Sequence, residues 1–273
     1  MFGADKKIIQ RVSPALQRVL IIDPQPASAR LLTETLRNFF PCQVWIASTR
    51  EKAVELLQAA MPQLVFVELS GPGIDGIELT RQLRRSELPC RKVPVIVTTA
   101  SATAQSILAA RDAGAHEFLR KPFTSKDLLR RLEAVALKPR AWVEAVAYVG
   151  PDRRRFNSAE YAGRRKRKTD LSETPEAAKV AQAFKILNAA AMAMTGDPHQ
   201  ALRSMRAQAE DLHQAAVALK DLRLARAANE LRTYLAGVKT ISAENIQALS
   251  AVVGELLKLA PPEATPRAAM QAA

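Results

Sequence analysis

Between Arg18 and about Leu137, five short apolar runs alternate with amphipathic stretches, and this alternation limits the fold more than any other feature of the chain. The runs are VLIID (19–23), QVWIA (43–47), LVFVE (64–68), VPVIVTT (93–99) and a fifth over 115–119. Each is rich in β-branched or aromatic residues and too short for a helix. Both faces of each run are apolar, as in the buried strands of a parallel sheet. The stretches 27–39, 50–60, 76–86, 102–113 and 125–136 read as helices. Leu32, Leu36 and Phe39 share one face, and Thr124 with Asp127 three residues on marks a helix start. Five strands alternating with five helices predict an open, doubly wound α/β domain. In such a sheet the site lies at the carboxyl ends of the strands, which selects Asp23, Glu68, Thr99 and the loop after Leu119.

Residues 1–17 precede this pattern as an N-terminal extension. From 138 to 174 neither period continues, and the stretch is expected to be a basic linker. Between Pro151 and Lys168 it carries eight basic residues (Arg153, Arg154, Arg155, Arg164, Arg165, Lys166, Arg167 and Lys168) against Asp152 and Glu160. From 175 to 260 helical spacing returns. Thr174–Pro175, Asp197–Pro198 and Ser242 are start signals. Val180, Phe184, Leu187 and Met194 share a face, and Leu202, Met205, Ala209, Leu212, Ala216 and Leu219 repeat at three and four residues. An all-α, four-helix module is expected here, with Met192, Met194 and Met205 as core filler. The Ala/Pro-rich tail, 261–273, is expected to be disordered.

The net charge of +13 favours an acidic partner: nucleic acid, an anionic nucleotide, an acidic protein face or an anionic membrane. A basic tail that only aids solubility is the other reading. Cys42 and Cys90 form no metal-ligand spacing, which speaks against zinc. The first residues lack an apolar export segment, and no apolar run approaches the roughly 20 residues that span a bilayer. A cytoplasmic protein with reduced thiols is expected.

Four segments, VLIID, LVFVELSGPGIDG, VPVIVTTA and AGAHEFLRKPF, occur in the order and spacing of a receiver domain of two-component signalling. Residues 18–137 resemble that family, and the resemblance implies its five-stranded, flavodoxin-like fold. Receivers use two adjacent acids and a phospho-accepting Asp around Mg²⁺, with a hydroxyl residue and a Lys on the phosphoryl oxygens. The metal neutralises carboxylates that would otherwise repel, and metal and Lys stabilise the charge of an in-line transfer.

Carried over by residue, the resemblance keeps Asp23 as the first acid, Thr99 as the hydroxyl and Lys121, followed by Pro122, as the ammonium. Phe118 falls at the family's switch aromatic. Two positions depart. Pro24 replaces the second acid and has no side-chain oxygen, so Mg²⁺ binding is expected to be weakened and no cofactor is assigned. Glu68 stands at the phospho-acceptor position. Its extra methylene advances the carboxylate by about 1.5 Å, and it carries one negative charge where a phosphoryl group carries about two. Two readings stay open. Lys121 and Thr99 grip Glu68 and hold an active-like state, or Glu68 is inert and Lys121 pairs with Asp23. Phosphorylation of Glu68 itself would join a misplaced nucleophile to a weakened metal site.

The basic arm interleaves Tyr148, Phe156 and Tyr161 with arginines, which suits nucleic acid or cyclic di-GMP, although the pattern of PilZ domains is incomplete. A solvated linker is the plainer reading. The segment AAVALKDLRLARAANEL resembles one helix of a histidine phosphotransfer bundle, with Val217 at the histidine position, Lys220 matching and His213 one turn earlier. An unrelated four-helix docking or dimerisation module is the plainer reading, and a homodimer is left open. A compact helix-turn-helix with a basic recognition helix does not fit these long Ala/Leu-rich helices. Length and missing motifs speak against an enzymatic output. The expected function is a non-enzymatic, atypical response regulator that signals by protein contact, with histidine kinases or phosphotransfer proteins as partners. The alternative is a nucleic-acid or cyclic di-GMP effector.

Overall fold

The computed structural model describes residues 3–153 and 175–261. They fall into two units. One holds the chain up to Val143 together with the residues from Tyr148 onward. The other holds Glu144–Ala147 and the helices that begin at Pro175.

The first unit is built on five parallel strands: β1 (Arg18–Ile22), β2 (Gln43–Ala47), β3 (Leu64–Glu68), β6 (Val95–Thr99) and β7 (Glu117–Arg120). Their order is β2-β1-β3-β6-β7. A short antiparallel pair, β4 (Ser70–Gly71) and β5 (Ile74–Asp75), follows β3. Alternation along each strand sends side chains to both faces. Leu20, Ile22, Val65, Val67, Val95 and Val97 pack in one layer with α3 (Arg50–Ala59), α4 (Gly76–Arg85) and α5 (Ala104–Asp112). Val19, Ile21, Leu64, Phe66 and Ile96 pack in the other with α2 (Pro26–Phe39) and α6 (Ser125–Leu137). Each such buried aliphatic side chain contributes about 1.5–3 kcal/mol.

The helix starts follow local chemistry. Thr49, Asp75, Thr103 and Thr124 each cap the helix that follows by accepting a backbone N–H, and Thr103–Ser106 and Thr124–Asp127 close reciprocal boxes. The Thr103 cap places the start of α5 at Ala104, two residues later than spacing alone suggested.

The N-terminal extension contains a helix that the sequence reading lacked, α1 (Gly3–Val12). Ile8, Ile9, Val12 and Leu16 join the layer formed by Leu128 and Leu132 of α6. The described part of the expected linker also has structure. Trp142–Glu144 (β8) and Val149–Pro151 (β9) pair, and Tyr148 and Val149 are buried.

The second unit contains α7 (Pro175–Met192), α8 (Pro198–Leu219), α9 (Leu222–Gly237) and α10 (Ile246–Leu257). Phe184, Leu187, Met205, Leu212, Leu231, Leu235, Leu249 and Val253 form its core. Asp197 caps α8 and Asp221 caps α9. Ser242 does not open a helix. Its carbonyl accepts from the Asn245 and Ile246 amides in a turn, and α10 starts at Ile246. Met194 and Met205 are core residues, but Met192, the last residue of α7, is 80% exposed.

Candidate functional site

β1, β3, β6 and β7 run parallel and end at the same edge of the sheet, so the residues at their carboxyl ends meet there. Asp23 follows β1, is buried, and its Oδ1 accepts from the Gln25 amide at 2.8 Å. Glu68 ends β3. Lys121 follows β7, with its amide donating to the Thr99 carbonyl at 2.7 Å. The Lys121–Pro122 peptide is cis.

The Lys121 ammonium donates to Glu68 Oε2 at 2.5 Å, Asp23 Oδ2 at 2.7 Å and Ser28 Oγ at 2.7 Å. The two pairings of Lys121 that the sequence left as alternatives therefore occur together. The cluster of two carboxylates and one ammonium carries a formal charge of −1. Charge-assisted bonds in this sheltered setting are stronger than exposed ones.

The second grip on Glu68 comes from Thr98, whose hydroxyl lies 3.3 Å from Oε2. Register explains the difference from the expected Thr99. Glu68 pairs with Thr98 across β3 and β6, and paired residues project to the same face. Thr99 projects to the opposite face, and its hydroxyl accepts from the Ser101 amide at 3.1 Å. Phe118 is buried within β7.

Pro24 sits against the β4–β5 turn. A Cβ placed on Gly71 would lie 2.5 Å from Pro24 Cγ, so the turn closes over the ring only because position 71 is glycine. Mg²⁺ requires near-octahedral oxygen coordination. Here Asp23 and Glu68 are the available carboxylates, both engaged by Lys121, and Pro24 supplies no oxygen. Among the described residues no three His, Cys, Asp or Glu side chains are grouped as metal ligands. These residues do not fit a divalent cation.

With this geometry in place, the family comparison is decisive. Residues 19–133 match the model of the response regulator receiver domain. This part of the chain is a receiver domain. Its relatives include "Response regulator MprA" of Mycolicibacterium vanbaalenii, 32% identical over 118 residues, or 43% of this chain and 49% of the relative. "DNA-binding response regulator MtrA" of Mycolicibacterium smegmatis is 30% identical, covering 43% of this chain and 50% of the relative. The chain thus spans about half the length of the curated relatives it matches. Among solved structures, the signal receiver domain of a response regulator from Bermanella marisrubri is 27% identical, with a TM-score of 0.40, covering 44% of this chain and 98% of that one.

The receiver domain uses two residues that the sequence reading missed. Ser28, in the first turn of α2, holds Lys121, and Thr98 holds Glu68. The sequence signals were a serine one turn into the helix after Asp23 and the strand register that pairs position 98 with 68. A third unforeseen residue lies elsewhere in the domain. Arg84 is completely buried, and Leu79, Thr80 and Leu83 mark its position on the inward stripe of α4.

Of the expected anion-binding run, Arg154, Arg155, Arg164, Arg165, Lys166, Arg167 and Lys168 lie outside the described residues, as does most of the tail. Arg153 is described. It pairs with Asp112 at 2.9 Å and stacks 4.4 Å from the Tyr148 ring centroid. In the helical unit, Val217 is exposed, while His213 Nδ1 donates to the Ala225 carbonyl at 3.1 Å. No helix among the described residues is long and apolar enough to cross a membrane.

Proposed function

We propose that the chain is an atypical response regulator of two-component signalling whose receiver domain acts by protein contact, with Glu68 in place of a transient phosphoryl group. One observation carries this reading. The Lys121 ammonium already bridges Glu68 and Asp23, at 2.7 Å to Asp23 and 2.5 Å to Glu68, where a receiver needs a metal and a free acceptor in order to be phosphorylated. Glu68 supplies a permanent negative charge to Lys121, and Pro24 removes the oxygen that would draw in a cation. Histidine kinases or phosphotransfer proteins are the partners proposed from the family of the domain.

The test is incubation with acetyl phosphate and Mg²⁺ followed by intact mass and a conformational readout. An unchanged mass and a Mg²⁺-independent conformation support the reading. A stable adduct at Glu68 overturns it.

The net charge of +13 supports a second reading, an effector that binds nucleic acid or cyclic di-GMP through Arg153–Lys168. Arg153 already pairs within the receiver domain, and the MtrA match covers only half of that DNA-binding relative. Titration with labelled DNA and cyclic di-GMP at two salt concentrations tests it. Binding to neither ligand removes it.

A further inference from the structure

At the opposite edge of the sheet, His116 precedes β7 and faces two donors through one ring nitrogen. Arg84 Nη2 lies 3.2 Å from His116 Nδ1, and the Val95 amide lies 3.3 Å from it. A ring nitrogen met by two N–H groups must offer its lone pair, so His116 is neutral with its proton on Nε2. Arg84 does not yield its own proton near neutrality. Burial pushes its pKa down only to about 9. Its other acceptors are the carbonyls of Gly114, Arg91 and Val93, at 2.9, 2.7 and 2.9 Å.

The charges that act on the ring are the cations Arg84 and Arg140, while the carboxylates of Glu117 and Asp152 act on Arg140. Facing this corner are Arg84 from α4, Cys90 and Arg91 from the 3-10 turn Pro89–Lys92, Arg140 from the segment after α6, and Tyr148 from the start of the β9 leg. Glu117, next in β7, is bound to Arg131 at 2.9 Å. Burial first, then Arg84 and Arg140, hold the imidazole well below its usual range.

The residues following α6 fasten onto this same corner. Arg140 donates to the carbonyls of Ala115 and His116. The Trp142 ring stacks 5.4 Å from the Arg84 guanidinium. Gly114 and Gly150 meet backbone to backbone, since a Cβ on Gly150 would lie 2.8 Å from Gly114 Cα. Tyr148 donates to the Pro151 carbonyl at 2.6 Å and closes the turn.

We propose that His116 is the acid-sensitive pin of a latch that fastens Arg140–Val143 and Tyr148–Arg153 onto the receiver domain, and that protonation of its ring opens the latch. A proton on Nδ1 points an N–H at two other N–H groups and sets a third cation beside Arg84 and Arg140. The repulsion is relieved when Arg84 withdraws from beneath Trp142 and the segment lifts from Gly114. This inference does not depend on the role of Glu68.

His199 and His213 lie in the helical unit, so His116 is the one histidine of the receiver domain. The closed latch excludes the proton, and the open state has an ordinary histidine pKa near 6.5. The open population should then rise about tenfold between pH 7.5 and 5.5. Amide hydrogen exchange, corrected for the intrinsic pH dependence, reads this directly at Trp142, Val143, Val149 and Gly150. The amides of Leu20 and Phe66 in the sheet serve as the internal standard.

The latch predicts a tenfold rise at the first set with no change at the second. His116→Asn keeps an acceptor near the Nδ1 position without titrating, and its exchange should be flat. An equal rise in the Asn variant, no rise in the wild type, or a rise shared by the sheet amides overturns the proposal. Should the variant fail to fold, an NMR titration of the wild-type ring decides. Ring protonation that leaves exchange at Trp142 and Gly150 unchanged also overturns it.

Discussion

Lys121 and Glu68 form a 2.5 Å ion pair at the carboxyl edge of the sheet, with the lysine side chain 19% and the glutamate side chain 12% exposed. Asp23 shares the same ammonium. The lysine is thus the counter-charge for two sheltered carboxylates, the task a divalent cation performs in a phosphorylatable site.

Removing that counter-charge should uncover the repulsion. Lys121→Ala is expected to lose about 3 kcal/mol, the order found when one partner of a buried pair is deleted. The variant's melting temperature should rise with Mn²⁺, while the wild type stays indifferent. Thermal melts with and without Mn²⁺ check both. A variant that ignores the cation would show that the ammonium is not acting as the counter-charge.

Restoring phosphorylation should take two changes. Glu68→Asp withdraws the carboxylate but leaves Pro24 without an oxygen. Pro24→Asp with Glu68→Asp returns the third carboxylate. Acetyl phosphate with Mg²⁺ should modify the double variant clearly and either single variant weakly, read by intact mass. Equal modification of Glu68→Asp alone would mean that position 24 does not limit the site.

Gly71 and Pro24 should be energetically coupled. Gly71→Ala sets a methyl 2.5 Å from Pro24 Cγ, and overpacking of this kind costs about 1–3 kcal/mol. Pro24→Ala should recover most of that loss. Urea denaturation of the four proteins in the cycle measures the coupling, and simple additivity would place the Pro24 ring elsewhere.

Arg84 should be a large stability determinant despite its distance from Lys121. Arg84→Met leaves the Gly114, Arg91 and Val93 carbonyls without their buried donor, at a cost on the order of 3 kcal/mol. Chemical denaturation checks it, and a loss below the error of the measurement would contradict the buried network.

Tyr148 should titrate late. Burial pushes its phenol up to about 12. A group raised in the folded state adds stability that is complete below its unfolded value near 10 and is lost as pH rises through 12. Phenolate absorbance should show a step near pH 12, and Tyr148→Phe should lack that step.

The receiver fold was legible because two periods rarely mislead when they alternate five times. The runs at 19–23 and 64–68 are apolar at every inward position, and Thr124 with Asp127 announces a helix locally, whereas the Thr49 and Thr103 caps were not read from the sequence. Asp23, Glu68 and Lys121 were legible as strand ends. That Lys121 engages both acids was not, because a sequence gives proximity but not the reach of a side chain. Thr99 follows from its place at the strand end and the motif, whereas register decides which hydroxyl shares a face with Glu68. The docking of Trp142 and Tyr148 escaped because a three-residue strand carries no period, and its anchor, Arg84, is a charged residue on a helix stripe reserved for apolar ones.

Because Ile8, Ile9, Val12 and Leu16 cover Leu128 and Leu132, the domain begins well before its first strand. Anyone trimming the gene to start at Arg18 would strip the greasy flank of α6 and obtain a sticky, aggregation-prone fragment. Binding studies on this receiver therefore require the leading helix to be retained.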